Sequence, residues 1–269
     1  MDVPQHLVAN ARMYAVSPAV EAAWEHLFSW VSMRSGIPLQ PLRHPAPAPL
    51  EELWARPDLG AVFMCGLPFA RSTPAPTLVV APVPRRWNQP VYATDLVVRS
   101  GSRFRKLEDT FGGRIGWTVE HSQSGYNALR HHLAPHARGG ALYRESVGPL
   151  LTPRNAIAAV LEGRVDVAPL DGYFHDLARQ NEPGLVRDLR VIDTTDPTPI
   201  PPLVTRTALD QGNLEALRQA FLAASGAPEL SPFLQILTLQ GFARVSPQAY
   251  RLLLDREAEA TLLDYPAIT

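Results

Sequence analysis

TVEHSQSGYNALRHHLA, residues Thr118 to Ala134, sets two serines and a glycine between an apolar strand and an apolar helix. Small residues at such a junction leave backbone N–H groups open, and the first turn of a helix has no internal partners for them. The helix dipole adds a partial positive charge at the same end. Ser122 and Ser124 add hydroxyls, and Gly125 permits close approach, so a phosphate, sulfate or carboxylate would be held without any cationic side chain. An ordinary N-cap, in which a serine bonds its own helix and nothing else, is the competing reading.

Outward from this stretch the pattern is α/β. On the N-terminal side, LVANARMYAV (7–16) reads as a strand reaching to about Tyr14. Ser17 and Pro18 then cap and open a helix whose inner face is Val20, Trp24, Leu27, Phe28 and Val31, with Gly36 as its stop. LGAVFMCG (59–66) is a continuous apolar run, expected as a strand buried on both faces, followed by a loop, GLPFARS (66–72). TLVVAPVP and PVYATDLVVRS are further strands. The succession restarts after residue 100: strand RIGWTV, the helix of the opening stretch, strand GALYRESVG, helix TPRNAIAAVLEG capped by Thr152, strand RVDVAPL, helix DGYFHDLARQN and strand LRVIDTT. PIPPLVTRTAL returns as an extended segment, and the remainder is expected to be helical. The order fits two α/β lobes, one inserted in the other, with 1–94 plus 204–269 as lobe 1 and 95–203 as lobe 2. Two hinge crossings, near Tyr92–Arg99 and Ile200–Arg206, and a cleft between two mixed sheets at strand C-termini complete the expectation.

Composition excludes several functions. With 19% charged residues and a formal net charge of -1, the chain lacks the basic surface a nucleic-acid binder requires. A single cysteine, Cys65, forbids an internal disulfide and a cysteine-rich metal site. No apolar run approaches the roughly 18 residues of a membrane span. The opening residues show no leader pattern, so the chain as written is expected in the cytoplasm. His132 and His136 have i, i+4 spacing, but Pro135 between them is expected to end the helix. No G-x-S-x-G elbow is present, and FGGRIGW lacks the setting of a dinucleotide loop. No catalytic residue, metal or cofactor is expected.

The chain resembles the phosphate/phosphonate ABC-transporter substrate-binding proteins, which have the type II periplasmic-binding-protein fold. The likeness rests on MYAVSPAVEAAW, GAVFMCGLPFAR, HSQSGYNALRHHL and AIAAVLEGRVDVAPLD in that order, with the IPP return. It implies a protein that closes on a small anionic ligand, works with an ABC permease in the periplasm and is a monomer. It places Ser122, Ser124, Gly125 and Tyr126 at the anionic head and Asp171 at the other end of the ligand. Tyr14, Phe69 and Tyr92 would wall the pocket, and the Cys65 and Gly66 backbone would approach the ligand. Phosphonate-binding members carry a histidine before the helix at 153, whereas RESVGPLLTP has none and offers only Glu145. A leaderless enzyme of the same fold, pairing Asp171 with His121 or Tyr14, and a cytosolic ligand sensor are the alternatives.

Overall fold

A computed structural model describes residues 6–46, 48–137 and 139–269. Residues 1–5, Pro47 and Arg138 lie outside these. The strands are β1 (Leu7–Asn10), β2 (Leu39–Pro41), β3 (Leu59–Phe63), β4 (Thr77–Pro84), β5 (Val91–Tyr92), β6 (Thr94–Arg99), β7 (Arg114–Gly116), β8 (Glu145–Val147), β9 (Ala168–Asp171), β10 (Leu189–Thr194), β11 (Thr198–Pro199), β12 (Leu203–Thr205) and β13 (Leu239–Ala243). The helices are α1 (Pro18–Ser35), α2 (Leu50–Trp54), α3 (Gly66–Arg71), α4 (Ala128–Ala137), α5 (Pro153–Leu161), α6 (Gly172–Asn181), α7 (Pro183–Val186), α8 (Gln211–Ala223), α9 (Ser231–Ile236) and α10 (Arg251–Leu262).

The chain folds as two units. The first is Met1–Cys65, Ser72–Val91 and Pro199–Ala249; the second is Gly66–Arg71, Tyr92–Thr198 and Tyr250–Thr269. The last twenty residues thus group with the second unit, whereas the sequence reading placed them with the first.

Unit 1 is built on one six-stranded sheet in the order β13-β4-β12-β3-β1-β2. β1 runs parallel to β2 and β3, while β12 and β13 run antiparallel to their neighbours. Every residue of β3 is buried, as its unbroken apolar run requires of a central strand. Ser17 Oγ accepts the Val20 amide at 3.3 Å, Pro18 opens α1, and Gly36 ends it at φ +72°. The expected inner face of α1, Val20 to Val31, is buried. Trp24 stacks on Phe28 and meets Phe63 edge-on at 5.1 Å. β13 corrects the all-helical expectation for the C-terminal part: after α9 the segment Leu239–Ala243 pairs with the edge of β4. Its burial does not alternate strictly, with Gln240 exposed and Leu239, Gly241 and Phe242 buried, because the ladder is irregular between Leu239 and Gly241, so the strand period is hard to read from the sequence.

Unit 2 is built on the antiparallel order β10-β6-β9. β7 pairs parallel with β8 and, through Ile115, with Val167 just before β9. A core of Leu96, Val98, Ile115, Leu129, Leu133 and Val167 lies between this sheet and α4. α10 packs on α3 and α4. Arg130, buried in that contact, donates to the carbonyls of Glu257, Tyr265 and Pro266 and to Thr261 Oγ1, so one guanidinium satisfies four acceptors near the chain end. Two expectations are corrected here. GLPFARS is not a loop but the helix α3. Pro135 does not end α4, which runs to Ala137 with Pro135 inside it; burial of Leu129, Leu133, Ala134 and Ala137 holds the last turn against the proline's loss of one backbone bond. Thr152 caps α5 as its sequence indicates, its Oγ1 taking the Asn155 amide at 3.1 Å.

Candidate functional site

Four segments of unit 2 meet at the serine turn. The turn itself, Gln123–Asn127, is π-type, with the Asn127 amide reaching the Ser122 carbonyl at 3.0 Å, and it runs directly into α4. Such wide turns leave the backbone loosely wound and recur at ligand sites. Ser122 Oγ accepts the Gly125 amide at 3.0 Å. That is the ordinary N-cap bond, yet a hydroxyl that accepts still has its own proton to donate. Gly125 has a packing reason as well: a Cβ there would lie 1.8 Å from Thr118 Oγ1. The Thr118 amide in turn donates to the Gly125 carbonyl at 3.2 Å, so strand end and turn are locked together.

Asp171 stands at the end of β9. Its Oδ1 accepts the Tyr173 and Phe174 amides, both at 3.0 Å, and so caps α6. Its Oδ2 accepts from Ser124 Oγ at 3.3 Å. The cap and the bond to Ser124 therefore use different oxygens of Asp171. On the neighbouring strand β6, Thr94 lies opposite Asp171, and its Oγ1 donates to the Ser124 carbonyl at 3.0 Å. Ser124, Thr94 and Asp171 are all buried. The hydroxyls of Ser122, Ser124 and Thr94 thus gather around the turn with one carboxylate held by three hydrogen bonds, a set suited to an oxyanion that itself carries a proton or an attached donor.

The other expected residues lie as follows. Tyr126 packs its ring edge-on to Trp117 at 5.2 Å; burial raises the pKa of its phenol, against the opposing effect of a hydrogen bond with the Ile268 backbone. Phe69 is buried edge-on to Tyr250 at 4.9 Å, and Tyr92 is fully buried, both in unit 2. At Gly66 an added Cβ would meet Leu253 Cδ1 at 2.8 Å, so the end of that leucine side chain would have to shift. In unit 1, Tyr14 is in a short 3-10 turn after β1, buried edge-on to Phe63 at 5.0 Å, and Cys65 is a buried cysteine outside any disulfide. The structure brings Ser122, Ser124, Gly125 and Asp171 into one hydrogen-bonded group, and places Tyr14 and Cys65 in the other unit.

Several polar side chains that suggest other chemistry are already engaged. Arg12 donates to the Ala48 carbonyl, Arg71 pairs with Glu257, and Arg99 donates to the Leu161 carbonyl. His131 pairs with Glu259 and His132 with Asp193, each at 2.9 Å, while His136 packs edge-on to Phe111. A cavity of about 240 Å³ in unit 1 is lined by Leu78, Val79, Arg218, Arg244, Val245 and Ser246 and contains none of the expected site residues.

Sequence reasoning passed over Thr94, Asp95, Thr118 and His175. Asp95 and His175 are buried against each other, His175 Nδ1 to Asp95 Oδ2 at 2.8 Å. The signal was present: an aspartate inside the apolar strand TDLVVR is anomalous unless it is paired.

No helix among the described residues is long and apolar enough to cross a membrane. No curated protein matches the sequence. Solved structures do match. A binding protein component of an ABC phosphonate transporter from Pseudomonas aeruginosa superposes with a TM-score of 0.81 at 18% identity, covering 98% of this chain and 88% of its own. PhnD1 from Prochlorococcus marinus, in complex with methylphosphonate, gives 0.79 at 14% identity, over 96% of this chain and 99% of its own. The alkanesulfonate-binding protein SsuA from Xanthomonas axonopodis, bound to MOPS, gives 0.61 at 19% identity, over 100% of this chain and 97% of its own. These likenesses show the type II periplasmic-binding-protein fold. The model of the family described as "ABC transporter, phosphonate, periplasmic substrate-binding protein" matches residues 14–250, most of the chain and all of the serine turn and Asp171. The chain belongs to the family of periplasmic substrate-binding proteins of phosphonate ABC transporters.

Proposed function

We propose that this protein binds a small solute bearing a tetrahedral oxyanion, a phosphonate, phosphate or related organic anion, for delivery to an ABC permease in the periplasm. The anionic head is held by the Ser122–Tyr126 turn, and Asp171 accepts a hydrogen bond from a proton or donor carried by the same ligand. One observation carries the reading: a π-type helix entry, capped by Ser122 and joined through Ser124 to a buried carboxylate, within the span matched by the family. Ser122 donates its remaining hydroxyl proton to the oxyanion, and helix-end amides supply the rest of the attraction. No covalent step is involved, and the enzyme reading is not favoured by family membership.

Titration calorimetry with methylphosphonate, inorganic phosphate and a sulfonate tests this. Ser122→Ala is expected to weaken binding by about 0.5–1.5 kcal/mol, the net value of one hydrogen bond. Unchanged affinity in Ser122→Ala and Asp171→Asn would remove the turn from the site. Turnover of a bound compound, abolished by Asp171→Ala, would restore the enzyme reading.

A further inference from the structure

Consecutive strand residues point to opposite faces, so a strand dipeptide reaches two layers at once. Thr94 and Asp95 at the start of β6 do this with polar groups. Thr94 Oγ1 donates to the Ser124 carbonyl at 3.0 Å, fixing the serine turn on one side. The Thr94 backbone is also fixed: its amide donates to Thr195 Oγ1 and its carbonyl accepts the Thr195 amide, both at 3.0 Å. Asp95 accepts from His175 Nδ1 at 2.8 Å on one oxygen and from Thr194 Oγ1 at 2.9 Å on the other. His175 lies on α6 four residues beyond the cap Asp171, about one turn into the helix. Asp95 and His175 are 0% and 2% exposed. A polar Asp–His pair so deeply buried contributes little net stability over an apolar pair of the same volume, so its presence calls for another reason.

We infer that Thr94 and Asp95 are positioning residues that set the two halves of the binding group, the serine turn and Asp171, at one fixed separation. The strand pairing supplies the third side: Thr94 is directly opposite Asp171 in the β6–β9 ladder. Displacing the dipeptide therefore moves the turn and the α6 cap together. The pair selects a ligand by spacing and not by contact, because neither side chain need touch it. This rests on the reading of the turn and Asp171 as the ligand-binding group.

The test combines amide hydrogen exchange with binding. Thr94→Val, Asp95→Ala, the conservative Thr94→Ser and Asp95→Asn, and Leu107→Ala as a core control in the same unit are compared as full chains, well below their melting temperatures. Asp95→Asn retains an acceptor for His175 and an amide for Thr194 Oγ1 to accept. Asp95→Ala is expected to speed exchange at the Gly125 and Asn127 amides, which it does not touch, as well as at Tyr173 and Phe174. Thr94→Val is expected to do the same from the other side, at Tyr173 and Phe174. The two conservative variants keep wild-type rates, and Leu107→Ala changes neither pair of sites. For a chain that binds methylphosphonate or inorganic phosphate, Kd rises about tenfold in Asp95→Ala, a loss of about 1.4 kcal/mol, and stays within about twofold in the control. Exchange confined to the mutated side, or matched by the control, overturns the proposal. If Asp95→Ala does not fold, Thr94→Val decides it alone. If the wild type binds none of the oxyanions, the functional reading fails while the exchange data still decide the positioning role.

Discussion

Gly125 shows how one position can be forced by two demands of different kind. The anion-cradle reading asks for a small residue so that a ligand can come close. The structure adds a neighbour that forbids any Cβ, since Thr118 Oγ1 would lie 1.8 Å away. Gly125→Ala is therefore expected to destabilise the fold by about 1–3 kcal/mol through overpacking. Thr118→Gly in the same chain restores part of that loss, which denaturant titration of the single and double variants measures. A pure ligand-approach role would leave unliganded stability unchanged. Leu151 is the opposite case. It is held at φ +69° with its amide on the Thr118 carbonyl at 3.1 Å and its side chain 56% exposed. Left-handed strain of about 1–2 kcal/mol exceeds the extra chain entropy of glycine, roughly 0.5–1 kcal/mol, so Leu151→Gly should raise stability by about 0.5–1 kcal/mol. Thermal unfolding checks it, and a lowered melting temperature would show that the leucine side chain is needed there.

Among the elements, β7 illustrates a tie that titrates. Asp166 receives the Arg114 amide at 2.8 Å on Oδ2 and the Arg114 Nη2 at 3.2 Å on Oδ1, joining the start of β7 to the segment before β9. Burial alone would raise the pKa of this carboxyl, but hydrogen bonds from the Arg114 side chain and backbone outweigh it and hold it below the ordinary aspartate value. A depressed folded pKa contributes stability above the unfolded value, about 3.9, and the contribution is lost as pH falls through the lower folded value. Wild-type stability should therefore decline below about pH 4, more steeply than that of Asp166→Asn. At pH 7 the variant should be less stable by about 1 kcal/mol, after allowance for the solvent that reaches the pair. Equal acid slopes in the two proteins would show that other carboxylates govern the decline. α4 and β13 mark the limit of local reasoning about elements. A proline in the last turn of α4 and a glycine inside β13 both argue against the observed element, and both are outvoted by the apolar surface those segments bury.

For the whole molecule, the family places a ligand in the thermodynamic balance. A solute that binds only the folded chain raises its stability by about 2.7 kcal/mol when present at a hundred times its Kd. Thermal-shift titration should show such a rise with methylphosphonate or inorganic phosphate, and a smaller one in Ser122→Ala. A flat response across phosphonates, phosphates, sulfonates and carboxylates would remove small oxyanions as ligands. The sequence by itself determined the alternation of strands and helices, the caps at Ser17, Thr152 and Asp171, and the serine turn, because each depends on neighbours within a few residues. It also carried the order of motifs by which the family is identified. What only the tertiary structure decided are contacts between segments far apart in the chain. Thr94 meets Ser124 across 30 residues, Asp95 meets His175 across 80, and Arg130 holds the chain end across 135. Hydrogen bonds of that reach are set by strand register and helix packing, which no local pattern of side chains encodes.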